Sequence, residues 1–319
     1  MNSKYRKLKK MNIFFYATYS NQHEFLNTLR KKFKNDKIFT INDNIDLSKI
    51  DVAMVWNLPS NVFKKMVNLK AIFSIGAGVD HILKLSNIKN LPIIRVKDPT
   101  MRIRMYNHVL SQILIFQLKL KIYDAAQRKK IWVNERYTPL NSELTIGIMG
   151  LGYIGNFVAL NIKKLGYNVI GFKRNIAAKN TSFELYNKSS LNKSIKRSDT
   201  IVSILPDTKN TKNFINSNFL KKMKESSLLI NIGRGSAVNE VDLIKHIKKN
   251  PQFYASLDVF NKEPLIKKHK FWSNENISIT PHVAAITDHD SSISYLYKRF
   301  MDFKKNKKIK SDVDIKLGY

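Results

Sequence analysis

The stretch Ile146-Gly147-Ile148-Met149-Gly150-Leu151-Gly152-Tyr153-Ile154-Gly155, near the middle of the chain, restricts the fold more than any other. It sets a GxGxxG pattern directly after an apolar strand, Thr145–Gly150, and directly before an amphipathic helix. Gly150 makes the tight turn, Gly152 lets backbone approach a pyrophosphate, and Gly155 permits close packing of helix on strand. The helix N-terminus behind them offers N–H groups and a positive dipole end to phosphates. Glycine turns are common, but in a strand–turn–helix setting the pattern reads as a dinucleotide site, with Leu151, Tyr153 and Ile154 filling the same loop.

The choice of cofactor is read about 20 residues further on, at the end of the second strand. Enzymes that use NAD usually place Asp or Glu there to accept hydrogen bonds from the ribose hydroxyls. This chain has Gly171-Phe172-Lys173-Arg174-Asn175 instead. A carboxylate would repel a 2′-phosphate, whereas Lys173 and Arg174 would attract one through charge-assisted hydrogen bonds. NADP(H) is therefore the expected cofactor, with NAD(H) possible.

Around this motif, short apolar runs alternate with amphipathic stretches. Asn12–Ala17, Val52–Trp56, Ala71–Ile75 and Ile93–Val96 read as buried parallel strands, with helices at Phe25–Phe33 and Val62–Leu69. A second series starts at Thr145 and continues with strands near Val169–Lys173, Thr200–Leu205, Leu228–Ile232, Tyr254–Val259 and Ile277–Thr280. Within it, the helix Phe157–Leu165 is closed by Gly166. Two such series in 319 residues predict an α/β protein of two doubly wound parallel-sheet domains. Between them a long helix is expected over Met105–Lys129, apolar on more than one face, followed by a loop at Trp132–Glu143.

Composition removes several function classes. Without cysteine the chain has no disulfides, cysteine nucleophiles or thiolate metal sites. No apolar run approaches the roughly 20 residues that cross a bilayer, and MNSKYRKLKK at the start is basic without an apolar core of a leader. No membrane association and a cytoplasmic location are expected. The formal net charge of +32 invites a nucleic-acid reading. Lysine exceeds arginine about fourfold, however, and is spread along the chain beside abundant Asn and Ile. Phosphate and groove recognition leans on the planar fork of arginine, so no specific nucleic-acid partner is expected.

Three segments after the glycine motif carry groups able to do chemistry. Asn231-Ile232-Gly233-Arg234-Gly235 sets an arginine in a glycine-flanked turn, Leu257-Asp258-Val259-Phe260-Asn261-Lys262-Glu263-Pro264 sets a glutamate past another strand, and Thr280-Pro281-His282-Val283-Ala284 sets a histidine after a third. In open α/β sheets, residues beyond the carboxyl ends of strands meet at the ligand crevice. Taken singly, each could be a surface arginine, a solvated glutamate or a capping histidine.

As an ordered set, these segments resemble the D-isomer-specific 2-hydroxyacid dehydrogenases, and within them the glyoxylate/hydroxypyruvate reductase A branch. Gly76-Ala77-Gly78-Val79-Asp80, Leu205-Pro206-Asp207-Thr208 and Val283-Ala284-Ala285-Ile286-Thr287 extend the resemblance from about Met11 to Leu317-Gly318-Tyr319. It implies a flavodoxin-like substrate domain made of residues 1–106 and 289–319, a Rossmann cofactor domain over 107–288, and a homodimer. The implied activity is NADPH-dependent reduction of small 2-keto acids, glyoxylate to glycolate and hydroxypyruvate to D-glycerate.

Roles follow from the same resemblance. His282, paired with Glu263, is the proton donor, since a neighbouring carboxylate favours and orients an imidazolium. Arg234 binds the substrate carboxylate and polarises the ketone. The backbone at Ala77, Gly78 and Val79 holds the other carboxylate oxygen, Leu205 and Pro206 line the cofactor, and Asp258 orients its carboxamide. Trp56 either walls the substrate pocket or belongs to the core, and His81 is expected to be structural or solvated. No metal site is expected.

Two other classes compete: a non-enzymatic NAD(P)H-sensing partner-binding protein of the same fold, and an NAD-linked D-2-hydroxyacid dehydrogenase. The complete Arg234, Glu263 and His282 set counts against the first, and Lys173-Arg174 against the second. Residues 1–10 precede the first strand and are expected to have no catalytic role. Asp98–Arg104 is unusually basic for a hinge between domains, and either adjusts which acid fits or has no effect. The combined variant Lys173→Ala, Arg174→Ala is expected to raise the KM for NADPH in steady-state kinetics; an unchanged KM would refute the cofactor assignment.

Overall fold

The computed structural model describes residues 8–19, 21–88, 91–134, 137–173 and 182–319. Within them the chain forms two compact units, Met1–Thr100 with Thr287–Tyr319, and Met101–Ile286. Each is built on a parallel sheet.

The first sheet contains β1 (Asn12–Tyr16), β2 (Lys37–Phe39), β3 (Val52–Val55), β4 (Ala71–Ser74) and β5 (Ile93–Arg95) in the order β2-β1-β3-β4-β5. All four pairings are parallel, and the order is that of flavodoxin-like sheets, whose direction reverses between β1 and β3. Strands β3 and β4 are buried at every position, as expected where helices cover both faces of a sheet. The three-residue β2 was not expected: Lys37-Ile38-Phe39 is too short to show a period and lies on the sheet edge.

The C-terminal helix His289–Asn306 completes this unit. It buries Ile293, Leu296, Phe300 and Phe303, spaced for one helical face. Phe300 and Tyr297 meet the ring of Phe33 at centroid distances of 5.1 and 5.0 Å. A buried ion pair fastens the far end, with Lys304 Nζ 2.7 Å from Asp36 Oδ1, an oxygen that also accepts the Met11 N–H. At the near end, the fully buried Asp98 accepts hydrogen bonds from the Thr100 amide and hydroxyl and from the Ser291 hydroxyl. One carboxylate thus ties the point where the chain leaves the unit to the point where it returns.

The second sheet contains β6 (Thr145–Met149), β7 (Asn168–Phe172), β8 (Glu184–Tyr186), β9 (Thr200–Ser203), β10 (Leu228–Asn231), β11 (Tyr254–Leu257) and β12 (Ile277–Ile279). Its order is β12-β11-β10-β9-β6-β7-β8, parallel throughout. This is the dinucleotide-fold arrangement with one strand added, and it reverses between β6 and β9.

The helices differ from expectation in four places. The first runs Gln22–Lys32 rather than Phe25–Phe33. Val62–Leu69 is a single α-turn, Ser60–Phe63, followed by tighter turns. Phe63, Met66 and Leu69 are buried at three-residue intervals, and i→i−3 bonds from the Met66 and Leu69 amides serve that spacing better than an α-helix would. The long central helix is two helices, Pro99–Gln117 and Leu120–Arg128, with Lys119 at φ 56° between them. The buried Gln117 side chain spends its hydrogen bonds on Pro139 O, Asn141 Oδ1 and the Tyr167 hydroxyl, anchoring the break. The helix behind the glycine motif begins at Tyr153 rather than Phe157 and ends at Lys164, where Gly166 takes φ +90°.

Breaking a buried pair leaves an uncompensated charge, which costs about 3–5 kcal/mol. Lys304→Ala is therefore expected to lower unfolding stability by about that amount, read as a fall in the urea midpoint at constant slope.

Candidate active site

The second unit gathers most of its reactive groups at the carboxyl ends of its strands. The turn after β6 sits at the reversal point of the sheet, and its glycines differ in what surrounds them. Gly150 has φ +98°, and a Cβ there would lie 2.6 Å from Ile204 O on the neighbouring strand end. At Gly155 a Cβ would lie 2.1 Å from Gly150 O. Both glycines are required by backbone approaching backbone. Among the described residues, no atom lies within 4 Å of the corresponding position at Gly152. Gly152 caps the Tyr153–Lys164 helix without a side chain to occupy the first-turn N–H groups. An open cradle at a helix N-terminus fits the pyrophosphate of a dinucleotide.

Leu205 is buried and Pro206 half-buried beside that turn, and Gly233 packs against the Leu205 backbone, where a Cβ would sit 2.5 Å from Leu205 O. Lys173 is exposed at the end of β7, its amide donating to Tyr186 O. Arg174 lies outside the described residues. Arg102, from the basic segment after Asp98, lies over the rings of Tyr153 and Phe157 at 5.1 and 4.5 Å, which places a cation beside the first turn of the dinucleotide helix.

Arg234 and Glu263 are brought together by a packing contact. A Cβ at Gly235 would lie 2.0 Å from the Phe260 carbonyl carbon, so only glycine lets the arginine turn lie against the segment leading to Glu263. Within the turn, Asn231 Nδ2 donates to Arg234 O and Arg234 Nη1 donates to Gly233 O. Glu263 Oε1 accepts the Phe260 N–H at 2.9 Å, and Oε2 lies 2.7 Å from His282 Nδ1. With Nδ1 donating to the carboxylate, Nε2 is the ring nitrogen available for chemistry. Burial pushes the Glu263 carboxyl up, but hydrogen bonds from His282 and the Phe260 amide, with the charges of His282 and Arg234, outweigh it and hold it below the usual range.

His282 has φ 55°, a left-handed conformation in which its amide donates to Asp258 O at 2.8 Å. Asp258 is buried, and its side chain supports the same segment. Oδ1 accepts the Thr280 hydroxyl at 2.7 Å and the Val283 amide at 2.9 Å, and Oδ2 accepts the Ala284 amide at 3.1 Å. Sequence reasoning missed this bracing role, since two of the three donors are backbone amides that leave no mark in the residue types. It also missed His108, a half-buried residue of the Pro99–Gln117 helix near enough to Asp258 to feel its charge. Burial of that ring lowers its pKa against the upward pull of Asp258.

The remaining candidates belong to the first unit. Ala77 and Gly78 are half-buried and Val79 is buried, in the loop after β4. Trp56 is half-buried at the end of β3, where a Cβ on Gly76 would lie 2.6 Å from its ring. His81 is buried against Trp56, ring centroids 4.4 Å apart. Among the described residues no cluster of His, Cys, Asp and Glu could hold a metal ion.

Comparison with known proteins agrees with this architecture. The family model for the D-isomer specific 2-hydroxyacid dehydrogenase NAD-binding domain matches residues 110–284. The chain belongs to the D-isomer-specific 2-hydroxyacid dehydrogenases. Glyoxylate/hydroxypyruvate reductase A of Photorhabdus laumondii is 30% identical over 318 residues, covering 97% of this chain and all of the relative. Among solved structures, the NADPH-dependent glyoxylate/hydroxypyruvate reductase of Sinorhizobium meliloti, in complex with NADP and sulfate, is 30% identical with a TM-score of 0.90, covering 97% of this chain and all of that one. A probable 2-hydroxyacid dehydrogenase of Rhizobium etli, in complex with NADP, HEPES and L(+)-tartaric acid, is 29% identical with a TM-score of 0.89 at the same coverage.

Two outcomes test the site. Gly155→Ala is expected to destabilise by about 1–3 kcal/mol in urea unfolding through overpacking. Gly152→Ala is expected to leave the midpoint in place and weaken NADPH binding about tenfold in a fluorescence titration, as an added methyl enters the cradle. The depressed Glu263 carboxyl stabilises the fold fully above its unfolded value, near 4.5, and that contribution is lost as pH falls through the lower folded value. Its side chain is 36% exposed, so solvent keeps the contribution small. Glu263→Gln is expected to flatten the fall in urea midpoint below about pH 4.5.

Proposed function

We propose that this protein reduces small 2-oxo acids to 2-hydroxy acids with NADPH, glyoxylate and hydroxypyruvate being the substrates. The observation that carries the reading is the 2.7 Å contact between His282 and Glu263, with Arg234 charge-coupled to the same carboxylate. In this reading residues 107–288 form the cofactor domain, and residues 1–106 with 289–319 form the substrate domain. Gly150, Gly152 and Gly155 with the first-turn amides of the following helix hold the pyrophosphate, Leu205 and Pro206 flank it, and Lys173 with Arg174 take the 2′-phosphate. When bound, the cofactor supplies hydride to the substrate carbonyl carbon.

The chain's own residues handle binding and the proton. Arg234 grips the carboxylate and the ketone oxygen with a planar fork whose donors are fixed in direction. Backbone amides at Ala77, Gly78 and Val79 take the second carboxylate oxygen, and Trp56 walls the pocket. His282 delivers a proton from Nε2 to the oxygen on which negative charge develops, while Glu263 orients the ring through Nδ1 and stabilises positive charge on it. Such general acid catalysis contributes typically about 10²–10⁴-fold. Asp258 keeps His282 in the left-handed conformation that aims its ring at Glu263, and orients the nicotinamide carboxamide.

Support also comes from the relatives whose names carry this activity and from the two similar structures in complex with NADP. No helix among the described residues is long and apolar enough to cross a membrane. The test is the loss of nicotinamide absorbance with NADPH or NADH against glyoxylate, hydroxypyruvate and pyruvate. Turnover of the first two with NADPH is expected, with kcat reduced about 10²–10⁴-fold in His282→Ala. NADPH binding without turnover of any acid would refute the reading and favour the sensing protein.

A further inference from the structure

In the first unit, a chain of hydrogen bonds runs beneath the Gly76–Val79 loop and ends on it. The amide N–H of Asn57 points at His81 Nδ1 at 3.1 Å. An N–H can bond only to a ring nitrogen without a hydrogen, so Nδ1 is the acceptor and the neutral ring carries its hydrogen on Nε2. His81 Nε2 lies 3.3 Å from Ser74 Oγ and therefore donates to it. Ser74 Oγ also accepts the Gly76 N–H at 3.4 Å and donates its own hydrogen to Gly78 O at 2.8 Å. One donation and two acceptances use every site a hydroxyl has. Ser74 and His81 are both buried. The directions of the bonds are therefore set by the backbone amide at one end and the carbonyl at the other.

We propose that Ser74 and His81 are a positioning pair that sets the loop Gly76–Val79 to receive the carboxylate of the 2-oxo acid. The inference rests on the reading above, in which this loop binds that carboxylate. Its physical basis is the planarity of the peptide bond. In a trans peptide the C=O of one residue and the N–H of the next point in opposite directions. Ser74 draws the Gly78 carbonyl inward, so the N–H of Val79 is turned away from Ser74, out of the loop's underside. The same hydroxyl holds the amide of Gly76 inward, so the loop is pinned on both sides of Ala77. Trp56 limits the loop at Gly76, packing on His81 and leaving Gly76 no room for a side chain. Neither Ser74 nor His81 needs to touch the substrate: they act through the peptide plane at Gly78–Val79.

Because this pair acts on substrate binding, its signature is a split between kinetic constants. Ser74→Ala removes one oxygen from a buried position, and His81→Phe keeps a ring against Trp56 while deleting both nitrogens. Steady-state kinetics with glyoxylate and hydroxypyruvate, together with melting temperatures, are measured for each variant and for the double variant. The KM for the oxo acids is expected to rise about tenfold in each single variant, the cost of one well-placed hydrogen bond, with the KM for NADPH unchanged. The double variant should be no worse than the weaker single one, because the two side chains form one chain of bonds. An oxo-acid KM within twofold of wild type in both variants overturns the proposal. So does a change that follows the melting temperature and affects NADPH and oxo acid alike. If the wild-type enzyme reduces no 2-oxo acid, the carboxylate reading of the loop falls and takes this one with it. An active wild type with unaffected variants removes the positioning pair alone.

Discussion

The candidate site in the second unit depends on one buried carboxylate. Asp258, at the end of β11, is out of water and would be costly there without partners. The Thr280 hydroxyl and the Val283 and Ala284 amides meet it, while its backbone carbonyl takes the His282 amide. All four donors come from Thr280–Ala284. The desolvation cost is therefore offset only when that segment wraps the aspartate, and the wrapped form puts His282 at φ 55°. A strained backbone of this kind costs about 1–3 kcal/mol and persists only where its surroundings over-determine it. Without Asp258, His282 would relax, and the 2.7 Å contact with Glu263 would lose its frame.

The sheet supplies the rest of the frame by bringing backbone against backbone. Gly150 against Ile204 O, Gly233 against Leu205 O and Gly235 against the Phe260 carbonyl carbon are three contacts in which a methyl group would collide with main chain. They link the ends of β6, β9, β10 and β11 in sequence across the sheet. Each functional loop is therefore set against its neighbour, and the Arg234 turn cannot move without the Glu263 segment. Gly152 differs: among the described residues nothing lies within 4 Å of where its Cβ would be, so no main-chain contact requires a glycine there.

Much of this was legible in the chain. Buried parallel strands announce themselves as apolar runs, and GxGxxG, Arg234, Glu263 and His282 all lie where strand ends are expected. Legibility failed where the signal is not periodic. Strands β2 and β8 are three residues each, too short to show a pattern. The break at Lys119 depends on the buried hydrogen bonds of Gln117, whose partners Pro139, Asn141 and Tyr167 lie 22 to 50 positions away. The resemblance gives Asp258 only a role toward the nicotinamide carboxamide, and its bracing of His282 rests on bonds across 22 to 26 residues. The Ser74–His81 chain was hidden for a different reason: a histidine beside a glycine loop does not say which of its nitrogens faces a donor.

That distinction separates His81 from His282. At His282, Nδ1 faces a carboxylate, which accepts, so the nitrogen keeps its hydrogen and a positive ring has a counter-charge 2.7 Å away. At His81, Nδ1 faces the Asn57 amide, which donates, so the nitrogen must be bare, and a second ring proton would set two donors against each other. The same side chain thus donates from Nδ1 in one place and accepts there in the other, as the group opposite Nδ1 dictates. Exposure follows the same division: the His282 side chain is 42% exposed and His81 is buried. In this fold, what sets the two histidines apart is the direction of one hydrogen bond.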